Sequence, residues 1–149
     1  MKTTYIMSGI PGSGKSTYVK THLSNAAIAS ADSYFERSGT YRFDGSKLGL
    51  AHNLCWKRFV QLVSRGYEEV VVDNTNLTWA ECSRYVNKAL ECGCEVFLIK
   101  MEADAKTAAE RNAHGVELEH IERMALKKLW IPPEILGNQN FHFIMPDGR

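Results

Sequence analysis

Residues 9–17 read GIPGSGKST and follow a short apolar run, TTYIMSG at 3–9, which predicts a strand ending at glycine. Gly9, Gly14, Lys15 and Ser16 fit G-x-x-x-x-G-K-[ST], the Walker A phosphate loop. Glycines let the backbone turn tightly, so that several N–H groups point inward at a phosphate. The segment after it, KSTYVKTHL at 15–23, is helical and adds the partial positive charge of its N-terminus. Lys15 reaches the β- and γ-phosphates, and the Ser16 hydroxyl ligates Mg²⁺. A Gly-rich turn can also match by chance, in roughly one chain of this length in two hundred at average composition. The strand before it and the helix after it make chance rarer still. The expected nucleotide-binding loop is therefore Gly9, Pro11, Gly12, Ser13, Gly14, Lys15, Ser16 and Thr17.

The rest of the chain continues the alternation. AAIASAD (26–32) reads as a second strand running into an acidic residue, and SGTYRFDGS (38–46) as a loop. Residues 47–66 predict a long helix with Leu54, Phe59 and Leu62 toward the core and Gly66 as its stop. EEVVVDN (68–74) is a buried strand ending in Asp73. TWAECSRYVNKALECG (78–93) is a helix capped by Thr78 and stopped by Gly93. CEVFLIKM (94–101) is another buried strand, and two helices follow at 104–115 and 117–130. Pro132 and Pro133 break the second, and FHFIM (141–145) suits a last strand. Such a β-α-β-α order implies a mostly parallel sheet with helices on both faces. Ligands on such sheets bind beyond the carboxyl ends of the strands, where the loop, Asp32 and Asp73 should converge.

The length of 149 residues suits one domain, residues 1–149. A net charge of +1 is far below that of proteins that hold nucleic acid by bulk electrostatics. Any nucleic-acid partner must be met by a local patch, or be only a short end. No apolar run reaches the roughly 18 residues that a membrane span needs, and the N-terminus lacks the pattern of a signal peptide. The four cysteines include one C-x-C, Cys92 and Cys94, without a second pair at zinc-site spacing. They read as reduced thiols, and the expected location is cytoplasmic.

Three residues outside the loop carry two readings each. Asp73 ends a hydrophobic strand, the Walker B arrangement that acts on Mg²⁺; many buried strands also end in Asp at a turn. Asp32 is either a helix N-cap or a general base for an attacking hydroxyl, a role that contributes about 10² to 10⁴ in rate. Arg111 lies either on a solvated helix face beside Glu110 or on a lid over the transferring phosphoryl group, where an arginine is worth about 10³ to 10⁵. Asn74 and Asn76 read as turn formers. The loop RSGTYRFDGSK (37–47) sets Arg37, Arg42 and Lys47 among Tyr34, Tyr41 and Phe43. Cations beside aromatics suit a short single strand, and equally a polar loop whose rings plug the core edge. Trp56 reads as core.

Taken together, GIPGSGKST, SADSYF, YRFDGSKLGLAH, VVVDNTN, CGCEVFLI and ERNAHGVELEHIERM run in the order found in the polynucleotide 5′-hydroxyl kinases, a group of AAA-type P-loop kinases, from about residue 4 to 128. The chain resembles that group, and its animal-type subgroup most specifically through YRFDGSKLGLAH, VDNTN and RNAHG. The resemblance implies an adenylate-kinase-like fold, a three-layer P-loop NTPase with a central five-stranded parallel sheet and a helical lid at about 104–130. It implies ATP and Mg²⁺ as cofactors and transfer of the γ-phosphate to a 5′-hydroxyl of a DNA or RNA end. It casts Lys15, Asp32 and Arg111 as catalytic, with Arg111 also on ATP and Ser16 and Asp73 on the metal. Where the family's phage member has an arginine three residues after the base, this chain has Phe35; Arg37 and Arg42 are the candidate replacements on the acceptor. Where that member reads DTN this chain reads NTN, and its second lid arginine is replaced by His114. A P-loop kinase of a small-molecule hydroxyl and a non-catalytic ATP-binding module are the competing readings, because fold does not fix function. Lys15, Ser16, Asp32 and Arg111 together argue against a pure binder, which needs no base.

Overall fold

Apolar residues alternate along the strands, and the alternation sets the layers. Ile6, Val70, Val72, Val96 and Leu98 join one buried cluster, while Met7, Val71 and Ile99 join another. This period of two places successive side chains on opposite faces. The computed structural model describes residues 1–36, 39, 41–112 and 114–146. Its strands are β1 (Thr3–Ser8), β2 (Ala27–Ala29), β3 (Glu69–Asp73), β4 (Glu95–Lys100) and β5 (Phe141–Ile144). They form one sheet in the order β2-β3-β1-β4-β5, with every pairing parallel. The expected α/β class and the five-stranded parallel sheet are observed.

On the first face lie α3 (Leu48–Ser64) and α4 (Trp79–Glu91). They contribute Ala51, Cys55, Phe59 and Leu62, and Cys82, Tyr85, Val86 and Ala89. The Phe59 ring meets Tyr85 edge-on at 5.1 Å, and Trp56 completes a three-ring cluster at 5.8 Å from Phe59 and 5.4 Å from Tyr85. Truncating a ring so fully buried costs about 3–5 kcal/mol. The second face is covered by α1 (Lys15–His22), which supplies Val19. Helices on both faces of a parallel sheet give three layers. Among the described residues, no helix is long and apolar enough to cross a membrane. Cys55, Cys82 and Cys94 are buried free thiols, and Cys92 is an exposed one.

Some boundaries differ from the sequence reading. β2 stops at Ala29, so Asp32 does not end a strand; it is the first residue of a short helix, α2 (Asp32–Glu36). The buried stripe of α3 runs Ala51, Cys55, Phe59, Leu62, which turns Leu54 outward to 41% exposure. The expected helix at 117–130 is α6 (Leu118–Ala125), and Pro133 opens a new short helix, α7 (Pro133–Leu136), since proline is well placed in a first turn. A single 3₁₀ turn, Gly45–Lys47, precedes α3. Thr78 caps α4 as expected, its hydroxyl accepting the Glu81 N–H at 3.4 Å.

A third small cluster docks α5 (Ala105–Arg111) and α6 onto the loop after β1. Ile10 and Leu77 pack there against Ala108 and Ile121, with Val116 and Met124 at the margin.

Candidate active site

All the strands point their carboxyl ends at one rim of the sheet, and a cavity of about 1200 Å³ opens there. The loop after β1 forms its floor. Gly14 holds φ +100° immediately before α1, a left-handed conformation that glycine takes without penalty. Gly12 has φ +81° and lies against α5 so tightly that a Cβ would collide with the Ala108 carbonyl. Lys15 curls back over the loop, its ammonium donating to the carbonyls of Gly9 (2.8 Å) and Ile10 (3.0 Å). An ammonium has three donors, so one remains for an incoming phosphate oxygen. Burial pushes the Lys15 ammonium down to about 8, although Asp73 and Asp32 pull it upward.

Across the cavity stand the carboxylates. Burial pushes the Asp73 carboxyl up; Lys15 opposes this, while Asp32 and Glu36 add to it. These mutual influences place Lys15, Asp73 and Asp32 in one electrostatic neighbourhood. Asp32 is half-buried at the start of α2, its backbone N–H donating to Ser30 Oγ at 3.2 Å. The hydroxyl of Tyr41 engages its carboxylate; burial, then the charges of Asp32 and Glu36, push that phenol up to about 12, so it stays a donor at neutral pH. His114 approaches Asp32 Oδ2 with Nδ1 at 3.6 Å and Glu36 Oε1 with Nε2 at 3.5 Å. Its ring stacks on Tyr41 at 3.8 Å with the planes 5° apart.

The predicted residues fall into three groups. Pro11, Gly12, Ser13, Gly14, Lys15, Ser16, Thr17, Asp32, Asp73 and Arg111 all line the cavity, and Gly9 lies beneath it, holding Lys15 through its carbonyl. Arg111 is exposed at the end of α5. Arg42 is exposed outside the lining, its backbone N–H donating to the Phe35 carbonyl at 2.9 Å. Arg37 lies outside the described residues. The aromatic wall facing Asp32 comes instead from Tyr41, Phe43 and His52, with Leu48 beside them.

Sequence reasoning gave no role to Asn112 and underrated Asn74 and Asn76. Asn112 donates from its amide to the carbonyls of Ala109 (2.8 Å) and Val116 (3.1 Å) and accepts the Val116 N–H at 2.8 Å. It thereby closes the turn that carries Arg111 and His114 to the cavity. An asparagine just after a helix is the one sequence sign of such a turn.

A divalent ion fits the donor set. The Ser16 hydroxyl and the Asp73 carboxylate are hard oxygen donors on one cavity, and among the described residues no cluster of three His, Cys, Asp or Glu forms a protein cage. Such donors suit Mg²⁺, which is commonly bound by one or two protein groups with phosphates and water completing its shell.

Comparison with known proteins shows the family and the fold. The AAA domain family matches residues 5–124. NEDD4-binding protein 2 of Homo sapiens is 35% identical over 138 residues, covering 83% of this chain and 8% of that protein, so the chain spans under a tenth of that relative. Among solved structures, the Pnkp1/Rnl/Hen1 RNA repair complex contains a chain with TM-score 0.66 at 15% identity, covering 83% of this chain and 42% of that one. A gluconokinase from Sinorhizobium meliloti gives TM-score 0.54 at 15% identity, covering 95% and 81%. Both likenesses concern the fold.

Proposed function

The chain belongs to the AAA-domain family of P-loop kinases, and from that premise we propose that it transfers the γ-phosphate of ATP to the 5′-hydroxyl of a nucleic-acid end. The observation that carries this reading is a single cavity lined by Lys15 and Ser16 on one side and by Asp32, Tyr41, Phe43 and His52 on the other. Pockets for one small ligand hold about 300–1,000 Å³, so the volume of about 1200 Å³ suits a nucleotide and an acceptor together. The likeness to a chain of an RNA repair complex supports the acceptor class.

In this reading the backbone N–H groups at the start of α1, residues 15–17, and the ammonium of Lys15 orient the triphosphate. Ser16 and Asp73 would hold Mg²⁺, which when bound would neutralise phosphate charge. Asp32 accepts the proton of the attacking 5′-hydroxyl as the O–P bond forms, and ADP departs. Arg111, on the lid formed by α5 and α6, meets the negative charge of the transferring group. Tyr41, Phe43 and His52 give flat surfaces to the terminal base, and stacking of that kind is worth about 1–3 kcal/mol per base.

The likeness to a gluconokinase supports a second reading, transfer to a small-molecule hydroxyl through the same donor side. One assay separates the two. With ATP labelled at the γ-position and Mg²⁺, the protein is offered 5′-hydroxyl DNA and RNA oligonucleotides, the same oligonucleotides already bearing a 5′-phosphate, and a pool of nucleosides and sugar acids. The proposal predicts label on the 5′-hydroxyl oligonucleotides alone. Label on a small molecule with silent oligonucleotides selects the second reading.

A further inference from the structure

The residues that follow Asp73 make hydrogen bonds that a turn does not require. Asn74 is 9% exposed, and its Oδ1 accepts the N–H of Ala31 at 2.8 Å, forty-three residues away in sequence. Its amide also donates to Cys55 Sγ at 3.4 Å. Ala31 is itself 5% exposed and immediately precedes Asp32. Thr75 accepts the Gly9 N–H on its carbonyl at 2.8 Å. Asn76, 3% exposed, donates from its amide to the Met7 carbonyl at 2.8 Å, and its own carbonyl accepts the Ser8 hydroxyl at 2.9 Å. Asn76 holds φ +43°, a left-handed value that asparagine tolerates better than most residues.

From these contacts we infer that Asn74–Thr75–Asn76 is a staple that fixes the loop of Lys15 and the segment of Asp32 at one distance, and that Asn74 is a positioning residue for Asp32. Turn formation accounts for the backbone of Asn76 but not for the side chain of Asn74, which reaches into another strand's exit. β2 has already ended at Ala29, so no ladder bond holds Ala31 to β3; its pairing with β3 stops at Ala29↔Val72. The Asn74 amide continues that lateral connection by side chain for one more step. Asp32 then starts α2 from a fixed point. Asn76 does the corresponding work on the other side, tying the end of β1 to the end of β3 just before the phosphate loop departs. A buried N–H left without its acceptor is strongly disfavoured, so loss of Asn74 moves the Ala31–Asp32 segment rather than leaving it in place.

The inference rests on the transfer reading above, and its test separates the two. Asn74→Ala should lower kcat by about 10- to 100-fold, since a misplacement of about 1 Å costs up to about 10². The ATP Kd should stay within about two-fold of wild type, because the donor loop is untouched. In an Asp32→Ala background the same substitution should change kcat by less than about three-fold, because the group it positions is gone. Asn76→Gly keeps the positive φ and removes the amide; it should weaken ATP binding instead. If Asn74→Ala does not fold, Asn74→Ser, which keeps an acceptor oxygen of shorter reach, replaces it and should show an intermediate loss with the same dependence on Asp32. An equal loss with and without Asp32, or no loss while Asp32→Ala is inactive, overturns the inference and leaves the transfer reading standing. Amide hydrogen exchange decides independently of activity. Asn74→Ala should speed exchange in residues 30–36 and spare residues 9–17; unchanged exchange in 30–36 overturns the staple even if wild-type protein labels no oligonucleotide, the result that removes the transfer reading.

Discussion

The imidazole of His114 lies 3.6 Å from the carboxylate of Asp32 and stacks on Tyr41, so the α5–α6 segment touches the candidate base directly. Both side chains of this pair remain substantially exposed, 31% for His114 and 47% for Asp32. Even a fully charged contact in that setting is worth at most about 0.2–1 kcal/mol. His114→Ala should therefore lower kcat/KM for the acceptor by no more than about five-fold. The ATP Kd should not move. Steady-state kinetics with the acceptor varied at saturating ATP read this out; a loss expressed in ATP affinity would contradict it.

Lys15 gives the clearest pH dependence. Burial holds its ammonium at about 8, below the usual 10.5. The native protein thus binds fewer protons than the unfolded chain between about 8 and 10.5, and through Lys15 stability rises with pH across that window. Below 8 the buried charge is carried at a cost. Nucleotide affinity runs the other way, because the charged ammonium is what meets the phosphates, and it should fall as pH rises through 8. Lys15→Arg should flatten the affinity profile between pH 7 and 9.5, and Lys15→Met should remove the Lys15 part of the stability gain. Calorimetric ATP titrations and thermal melts over that range measure both.

Gly12 lets α5 pack directly on the loop. Its φ of +81° costs a side-chain-bearing residue about 1–2 kcal/mol, and any Cβ would collide with the Ala108 carbonyl of α5. Gly12→Ala should lower the unfolding midpoint and weaken ATP binding, because α5 must move away from the loop. Unchanged melting and binding would mean that α5 does not rest there in solution.

Arg111 should act on the chemical step. Arg111→Ala is expected to reduce the single-turnover rate by about 10³ with ATP binding retained, measured by rapid quench with enzyme in excess. An unchanged rate would leave the arginine on a solvated face.

The loop side of the cavity was legible because its pattern is local: Gly9, Gly14, Lys15 and Ser16 lie within one loop. Asp73 followed from the apolar run before it. The alternation of faces was equally plain in VVV at 70–72, where neighbours enter different clusters. Phe59 and Leu62 lie on the buried stripe of α3 as expected, but Leu54 does not, because the stripe passes through its small neighbours Ala51 and Cys55 instead. The extended reading of 26–32 overran because Ser30 and Ala31 are small enough for a strand; the N–H groups of Ala31 and Asp32 go to side chains, Asn74 Oδ1 and Ser30 Oγ, rather than to a neighbouring strand. Asn74 left no periodic signal, since its bond spans forty-three residues. The aromatic wall was half visible, in Tyr41 and Phe43, while His52 looked like any residue of a long helix.

The most direct test of the account is the single-turnover transfer of labelled γ-phosphate to a 5′-hydroxyl oligonucleotide by wild-type protein and by Asp32→Asn. The account predicts rapid labelling by the wild type, a loss of about 10² or more in the variant, and equal ATP affinity in the two. Equal labelling by both proteins, or a variant that loses ATP binding and fold together, would leave Asp32 a structural first-turn residue of α2 and contradict the mechanism.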